Sequence, residues 1–178
     1  MATLRVPDKR ICLTNEHEIR QFLQDRGILY DRWPPVDKAL SPDASDAEVL
    51  TAYNPTLKPF MEKGGYKAVD VVTVTERTPN LAAIREKFIR EHTHSEDEVR
   101  MFVTGEGLFW FHMERKDDEV FSLLCRQGDL ISVPANTKHW FDLGANPAVR
   151  AIRVFTDQAG WVPQYTNSGI EQRYQAAA

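Results

Sequence analysis

The sequence predicts a mainly β fold, a barrel or sandwich of short strands with α-helices placed ahead of it. Three observations lead there. From Glu98 onward the chain breaks into short aromatic and β-branched runs, EVRMFVTG, GLFWFHM, EVFSLLC, DLISVP, KHWFDLG and AVRAIRVF, punctuated by Gly, Asp, Asn or Pro. Earlier segments instead carry helix-start signals at Asn15 and Ser45. With 178 residues, 42% of them hydrophobic, the chain can bury one core without disulfide staples. A single domain over 1–178 is expected, with a helical N-terminal portion to about 65, a barrel core over about 66–165 and a tail from about 166.

Asn15 followed by Glu18 gives a capping-box signal, Ile19, Phe22 and Leu23 share a helical face, and Gly27 is a stop, which sets a helix over 15–26. Ser45 and Glu48 repeat the signal before VLTAY. Pro55 and Pro59 each remove a helical hydrogen bond, so 46–63 reads as two short helices or one kinked at Asn54-Pro55. KAVDVVTVT, 67–75, reads as a buried strand. Pro79 then marks the start of a helix carrying Leu81, Ile84, Phe88 and Ile89, and this helix runs directly into EHTHSEDEVRMFVTG.

Formal charge is −4, with Lys and Arg scattered among Asp and Glu, so the basic stripe that nucleic-acid binding requires is missing and nucleic acid is excluded as a partner. No apolar run approaches the length of a membrane span. MATLRVPDKRICLT lacks the apolar centre of a signal peptide, so a cytoplasmic location is expected. Cys12 and Cys125 have no nearby ligand partner and read as buried apolar thiols.

The chemistry concentrates in two blocks. In a strand, residues i and i+2 share a face, so His92 and His94 reach one point while Thr93 points away. Glu98 follows after a short turn. Two imidazoles and a carboxylate suit non-haem Fe(II). A turn at Pro134 to Asn136 precedes His139, which offers a fourth donor. HxH alone is a weak signal; joined to ExxxxxxG in the first block and GxxxxxP…H in the second, it is a strong one. His17 and His112 have no such partners and read as surface or packing residues, Glu96 as part of a solvated turn, and GEG at 105–107 as a hairpin turn.

These blocks resemble the two motifs of the cupin superfamily, GxxxxxHxHxxxExxxxxxG and GxxxxxPxGxxHxxxN. The first runs from His92, His94 and Glu98 to Gly105, and the second from Gly128 through Pro134 to His139. Three positions depart: Glu86 where the first motif begins with Gly, Asn136 at the turn Gly, and Leu143 at the final Asn. Asn tolerates the left-handed conformation, which makes the second change mild.

Within the cupins, KFIREHTHSEDEVRMFVTGEGLFWFH, LLCRQGDLISVPANTKHWFDLG and AIRVFTDQAGWVPQY are similar to segments of the acireductone dioxygenase family, over roughly residues 65–165. The resemblance implies a double-stranded β-helix, or jelly-roll barrel, with additional N-terminal helices. It also implies one Fe(II) or Ni(II) per chain held by His92, His94, Glu98 and His139. The implied substrates are acireductone and O2, in methionine salvage, by a monomer. The Fe form would yield formate and a 2-keto acid, the Ni form formate, carbon monoxide and 3-(methylthio)propanoate.

Of the surrounding residues, the resemblance puts Arg100 and Arg153 in the pocket as cations for the substrate anion and Asp97 at a general-base position. Phe88, Phe141 and Trp161 would surround the methylthio tail, and Glu91 would fix an imidazole by hydrogen bonding. Two other readings stand beside this one. Another metal-dependent cupin oxygenase or isomerase would carry different polar residues in place of the two arginines, and a non-catalytic cupin would hold its metal in a closed site.

Overall fold

The computed structural model describes residues 1–34, 36, 40–157 and 162–174. It opens with a hairpin of β1 (Thr3–Val6) and β2 (Ile11–Leu13), joined through a single 3-10 turn at Pro7–Lys9. Next come α1 (Glu16–Gln24), β3 (Leu29–Arg32), α2 (Asp46–Gly64), β4 (Ala68–Thr75) and α3 (Leu81–Ile89). The remaining strands are β5 (His92–Thr93), β6 (Glu98–Thr104), β7 (Glu106–Met113), β8 (Glu119–Arg126), β9 (Asp129–Val133), β10 (Lys138–Asp142), β11 (Ala148–Phe155) and β12 (Gln164–Tyr165). A 3-10 turn at Ile170–Arg173 follows.

Two antiparallel sheets result. The larger runs β12-β5-β10-β7-β8-β1-β2 and the smaller β3-β9-β6-β11-β4. The N-terminal portion, expected as helical, therefore contributes three strands. β1 pairs with β8, where Leu4 and Val6 alternate into the core, and β3 pairs with β9 across Leu29–Ser132 to Arg32–Asp129. Each is only three or four residues long, too short for an alternation signal to stand out in sequence.

One core cluster draws on both sheets, with Phe102, Ile131 and Val133 from the smaller and Phe109, Phe111, Phe121 and Phe141 from the larger. The smaller sheet has apolar residues on its other face too: Val99, Met101, Val103, Ile152 and Val154 pack with Val49, Tyr53 and Leu57 of α2. That cover explains why Glu98 to Val103 are buried without alternation.

α2 is one helix, not two. Ser45 and Glu48 form a reciprocal capping box at its start, and Gly65 ends it in the left-handed conformation at φ 71°. Val49, Tyr53 and Leu57, at i, i+4 and i+8, lock one face to the sheet, while Pro55 and Pro59 are exposed. On that side the carbonyls released by each proline can turn to water, so tertiary packing overrides the breaks.

β4 also departs from expectation. It is an edge strand on which only Val74 is buried, because β11 covers one edge and nothing among the described residues pairs with the other. Cys12, likewise expected to be buried, lies exposed on the edge strand β2, whereas Cys125 is buried. Between β6 and β7, Gly105 adopts φ +74°, and a Cβ there would fall 1.5 Å from the Ala148 carbonyl oxygen. Gly105→Ala is therefore expected to destabilise the protein by at least about 1–3 kcal/mol, read as a lower urea midpoint at unchanged slope.

Candidate metal centre and adjoining cavity

The site is built where the sheets approach each other. β5 and β10 pair antiparallel with His92 directly opposite His139, both in the larger sheet. His94 follows β5, and its carbonyl accepts from the Asn136 amide at 2.8 Å. Glu98 opens β6 in the smaller sheet. The turn before β10 is thus tied to the first motif block, and a second tie comes from Asp97, whose Oδ1 accepts from the Ala135 amide at 3.0 Å. Asn136 has φ 62°, the left-handed conformation for which Asn stands in place of the motif's Gly.

The structure brings together all four residues expected as ligands. One donor atom from each of His92, His94, Glu98 and His139 lies within 4.8 Å of the others, and all four residues are buried. Hydrogen bonds fix two of the imidazole tautomers. His92 Nδ1 lies 2.6 Å from the Arg90 carbonyl and His139 Nδ1 lies 2.8 Å from that of Thr137. A carbonyl only accepts, so each Nδ1 carries the proton and each Nε2 keeps its lone pair.

That assignment supplies a test of whether a cation belongs here. His139 Nε2 sits 3.2 Å from Glu98 Oε2, and His94 Nε2 sits 3.1 Å from the same oxygen. Burial and the His139 ring push His92 down to about 3, so its imidazole stays neutral. Burial would raise the Glu98 carboxyl, but the adjacent Arg100 guanidinium holds it well below its ordinary value. Lone pairs and an ionised carboxylate therefore converge in a space with little water. A divalent transition ion satisfies that arrangement, and the donor set of nitrogen with one oxygen suits Fe(II) or Ni(II).

A cavity of about 360 Å³ opens beside the group, with Phe88, His94, Glu98, Arg100, Arg153 and Phe155 on its walls. Arg100 Nε lies 2.6 Å from Glu98 Oε1, and Phe141 stacks against the guanidinium at 4.6 Å. Burial lowers the Arg100 pKa, yet an arginine keeps its charge under such a shift. Arg100 and Arg153 stand directly opposite each other on β6 and β11, and Arg153 stands opposite Asp70 on β4. Two like charges in register repel. Asp70 relieves this by taking both Arg153 Nε and Nη2, at 2.8 and 2.6 Å.

Sequence reasoning passed over Asp70, although the one acid in the apolar run AVDVVTVT was a visible anomaly. Two of the residues expected in the pocket are placed elsewhere. Asp97 is absent from the described cavity wall, as is Phe141, which packs on Phe109 at 4.7 Å with its ring supporting Arg100. Trp161 lies outside the described residues.

Glu91 does hold an imidazole, but that of His112 and not of the neighbouring His92. The 1% exposed Glu91 takes His112 Nδ1 at 2.6 Å, the Ser168 hydroxyl at 2.7 Å and also the Thr166 hydroxyl. His112 Nε2 reaches exposed Asp118 at 2.7 Å. His112 therefore ties β7 to Glu91, just before β5, and Glu91 in turn holds the segment after β12, a role that isolated histidines do not advertise in sequence. Burial would raise Glu91, but bonds from Thr166, Ser168 and His112 lower it; burial would lower His112, but bonds to Asp118 and Glu91 raise it.

The lowered carboxyl contributes stability above its ordinary 4.5, lost as pH falls through the folded value, and the raised imidazole contributes below its ordinary 6.5, lost as pH rises through the folded value. His112→Ala is expected to cost on the order of 1–3 kcal/mol. In chemical denaturation the gap between wild type and variant should be widest between pH 4.5 and 6.5 and narrow on both sides.

Comparison with known proteins agrees with this geometry. A family model described as the ARD/ARD′ family matches residues 12–163. An acireductone dioxygenase from Picosynechococcus sp. is 49% identical over 176 residues, covering 99% of this chain and 98% of that protein. One from Gluconobacter oxydans is 50% identical over 165 residues, covering 92% and 85%. Among solved structures, acireductone dioxygenase from Bacillus anthracis, with a cadmium ion in its active centre, matches with a TM-score of 0.82 at 37% identity, covering 93% of this chain and 98% of that one. The expected cupin barrel is borne out by that match, and with two motif blocks converging on one buried donor group inside it, the chain belongs to the ARD/ARD′ family.

Proposed function

We propose that this protein is an acireductone dioxygenase that cleaves 1,2-dihydroxy-3-keto-5-(methylthio)pentene with O2. The observation that carries the reading is the buried group of three imidazoles and one carboxylate opening onto a cavity walled by two arginines. Bound at His92, His94, Glu98 and His139, Fe(II) or Ni(II) would supply Lewis acidity and a template that brings an enediolate and O2 together. Fe(II) would give formate and 2-keto-4-(methylthio)butanoate; Ni(II) would give formate, carbon monoxide and 3-(methylthio)propanoate. The reaction belongs to methionine salvage, and we place the protein in the cytoplasm as a single-domain monomer.

The chain's own groups have definable tasks. Arg100, held at the cavity floor by Glu98 and flanked by the Phe88 and Phe141 rings, donates to the enediolate oxygens while keeping its charge. Arg153, anchored by two hydrogen bonds to Asp70, adds a second cation on the cavity wall. Phe88 and Phe155 give the methylthio tail an apolar wall and limit water near the reacting carbons. Asp97 holds the turn leading to His139, so its contribution as proton acceptor would be exerted from beside the metal group.

Metal-free protein reloaded separately with Fe(II) and with Ni(II), then mixed aerobically with acireductone, should form the two product sets above the spontaneous rate. Unaltered spontaneous oxidation with both metals would refute the assignment. His94→Ala should lose most bound metal by elemental analysis, and equal metal content in wild type and variant would remove it from the ligand set. Arg100→Met should bind metal at saturating concentration but lose roughly 10–100-fold in kcat/KM, the worth of one charge-assisted hydrogen bond.

A further inference from the structure

Among the described residues, the walls of the cavity carry three cations, Lys87, Arg100 and Arg153, and two anions, Asp70 and Glu98. Both anions are committed. Glu98 contacts Arg100 at 2.6 Å, and Asp70 holds Arg153 through two bonds at 2.8 and 2.6 Å. Lys87 differs from Arg100 in exposure and from both arginines in ion pairing. It is exposed where Arg100 is buried, and its ammonium makes no ion pair among the described residues. Its nearest recorded aromatic contact is the Phe88 ring, a cavity-wall residue, at 5.8 Å.

The backbone beneath this side chain is fixed. Lys87 lies in the last turn of α3, and its carbonyl accepts from the Tyr165 hydroxyl on β12 at 3.2 Å. The flexible stem thus moves from a held base at the edge of the cavity, beside exposed Val162. A lysine near a helix C-terminus also interacts favourably with the helix dipole. That role alone would affect stability and would leave association with an anion unchanged.

We infer that Lys87 is the entrance cation of the cavity, drawing the anionic substrate inward and setting its association rate and salt dependence. The inference rests on the reading of the site as an acireductone dioxygenase. Charge at a rim acts mainly on encounter, is screened by salt, and matters less once substrate is seated beside buried Arg100.

The test uses metal-loaded wild type, Lys87→Met, Lys87→Arg and, as a control for net charge, Lys58→Met on α2. Lys87→Met is expected to lose about 10-fold in kcat/KM at low ionic strength, with kcat within about twofold and a flatter salt dependence. Lys87→Arg and Lys58→Met should follow wild type. Anaerobic stopped-flow binding, read from the ultraviolet absorption of acireductone, should show the same loss in association rate. Near 0.5 M salt the gap should close to roughly twofold.

Wild-type kinetics and salt slope in Lys87→Met would overturn the inference, as would a loss of kcat alone or an equal loss in Lys58→Met. Turnover by wild type in any of those cases leaves the dioxygenase reading standing. Failure of wild type itself to alter spontaneous oxidation overturns both.

Discussion

The arrangement on which the rest depends is the convergence of imidazole nitrogens and the Glu98 carboxylate at one buried point between two sheets. His92 and His139 arrive by direct pairing of β5 with β10, whereas Glu98 arrives from β6 on the other side. Backbone carbonyls of Arg90 and Thr137 fix the proton on Nδ1 in two rings and so aim the Nε2 lone pairs inward. Acceptors packed this closely, with His139 Nε2 3.2 Å from Glu98 Oε2, repel one another, and a cation bound among them relieves that repulsion. The barrel is the frame that holds them there.

A second constraint runs across the smaller sheet. Glu98, Arg100, Arg153 and Asp70 form a row of two ion pairs over β6, β11 and β4, with the cations innermost. Each guanidinium is anchored by a carboxylate, so two positive charges can stand opposite each other beside the cavity without collapsing the register. The aromatic rings below, Phe141 against Arg100 and Phe109 against Phe141, remove water from one side of that row. Packing and electrostatics are one structure here. A ring deleted under Arg100 would loosen the charge above it.

Much of this was legible in sequence because it is local. The spacings His92-x-His94 and Glu98 to Gly105 and the run from Gly128 to His139 carried the ligand set, and the capping signals at Asn15 and Ser45 located α1 and the start of α2. What escaped was nonlocal. β1 and β3 are strands because β8 and β9 offer edges, β2 is one because it folds back on β1, and no period within three or four residues announces that. α2 continues through Pro55 and Pro59 because Val49, Tyr53 and Leu57 have a sheet to pack on.

The same division separates the site's donors from their supports. Sequence by itself determined the β-strand texture, the shared face of His92 and His94 and the two motif blocks, since strand parity and turn chemistry are short-range properties of the chain, and the four-residue donor group followed from the family resemblance those blocks carry. Tertiary structure alone decided that Asp70 holds Arg153, that Glu91 holds His112 in preference to His92, and that Phe141 supports Arg100 from behind the cavity wall. Each of those contacts joins residues more than 20 positions apart on different strands or turns. Their partners are chosen by sheet register, and register is set by how the whole barrel closes.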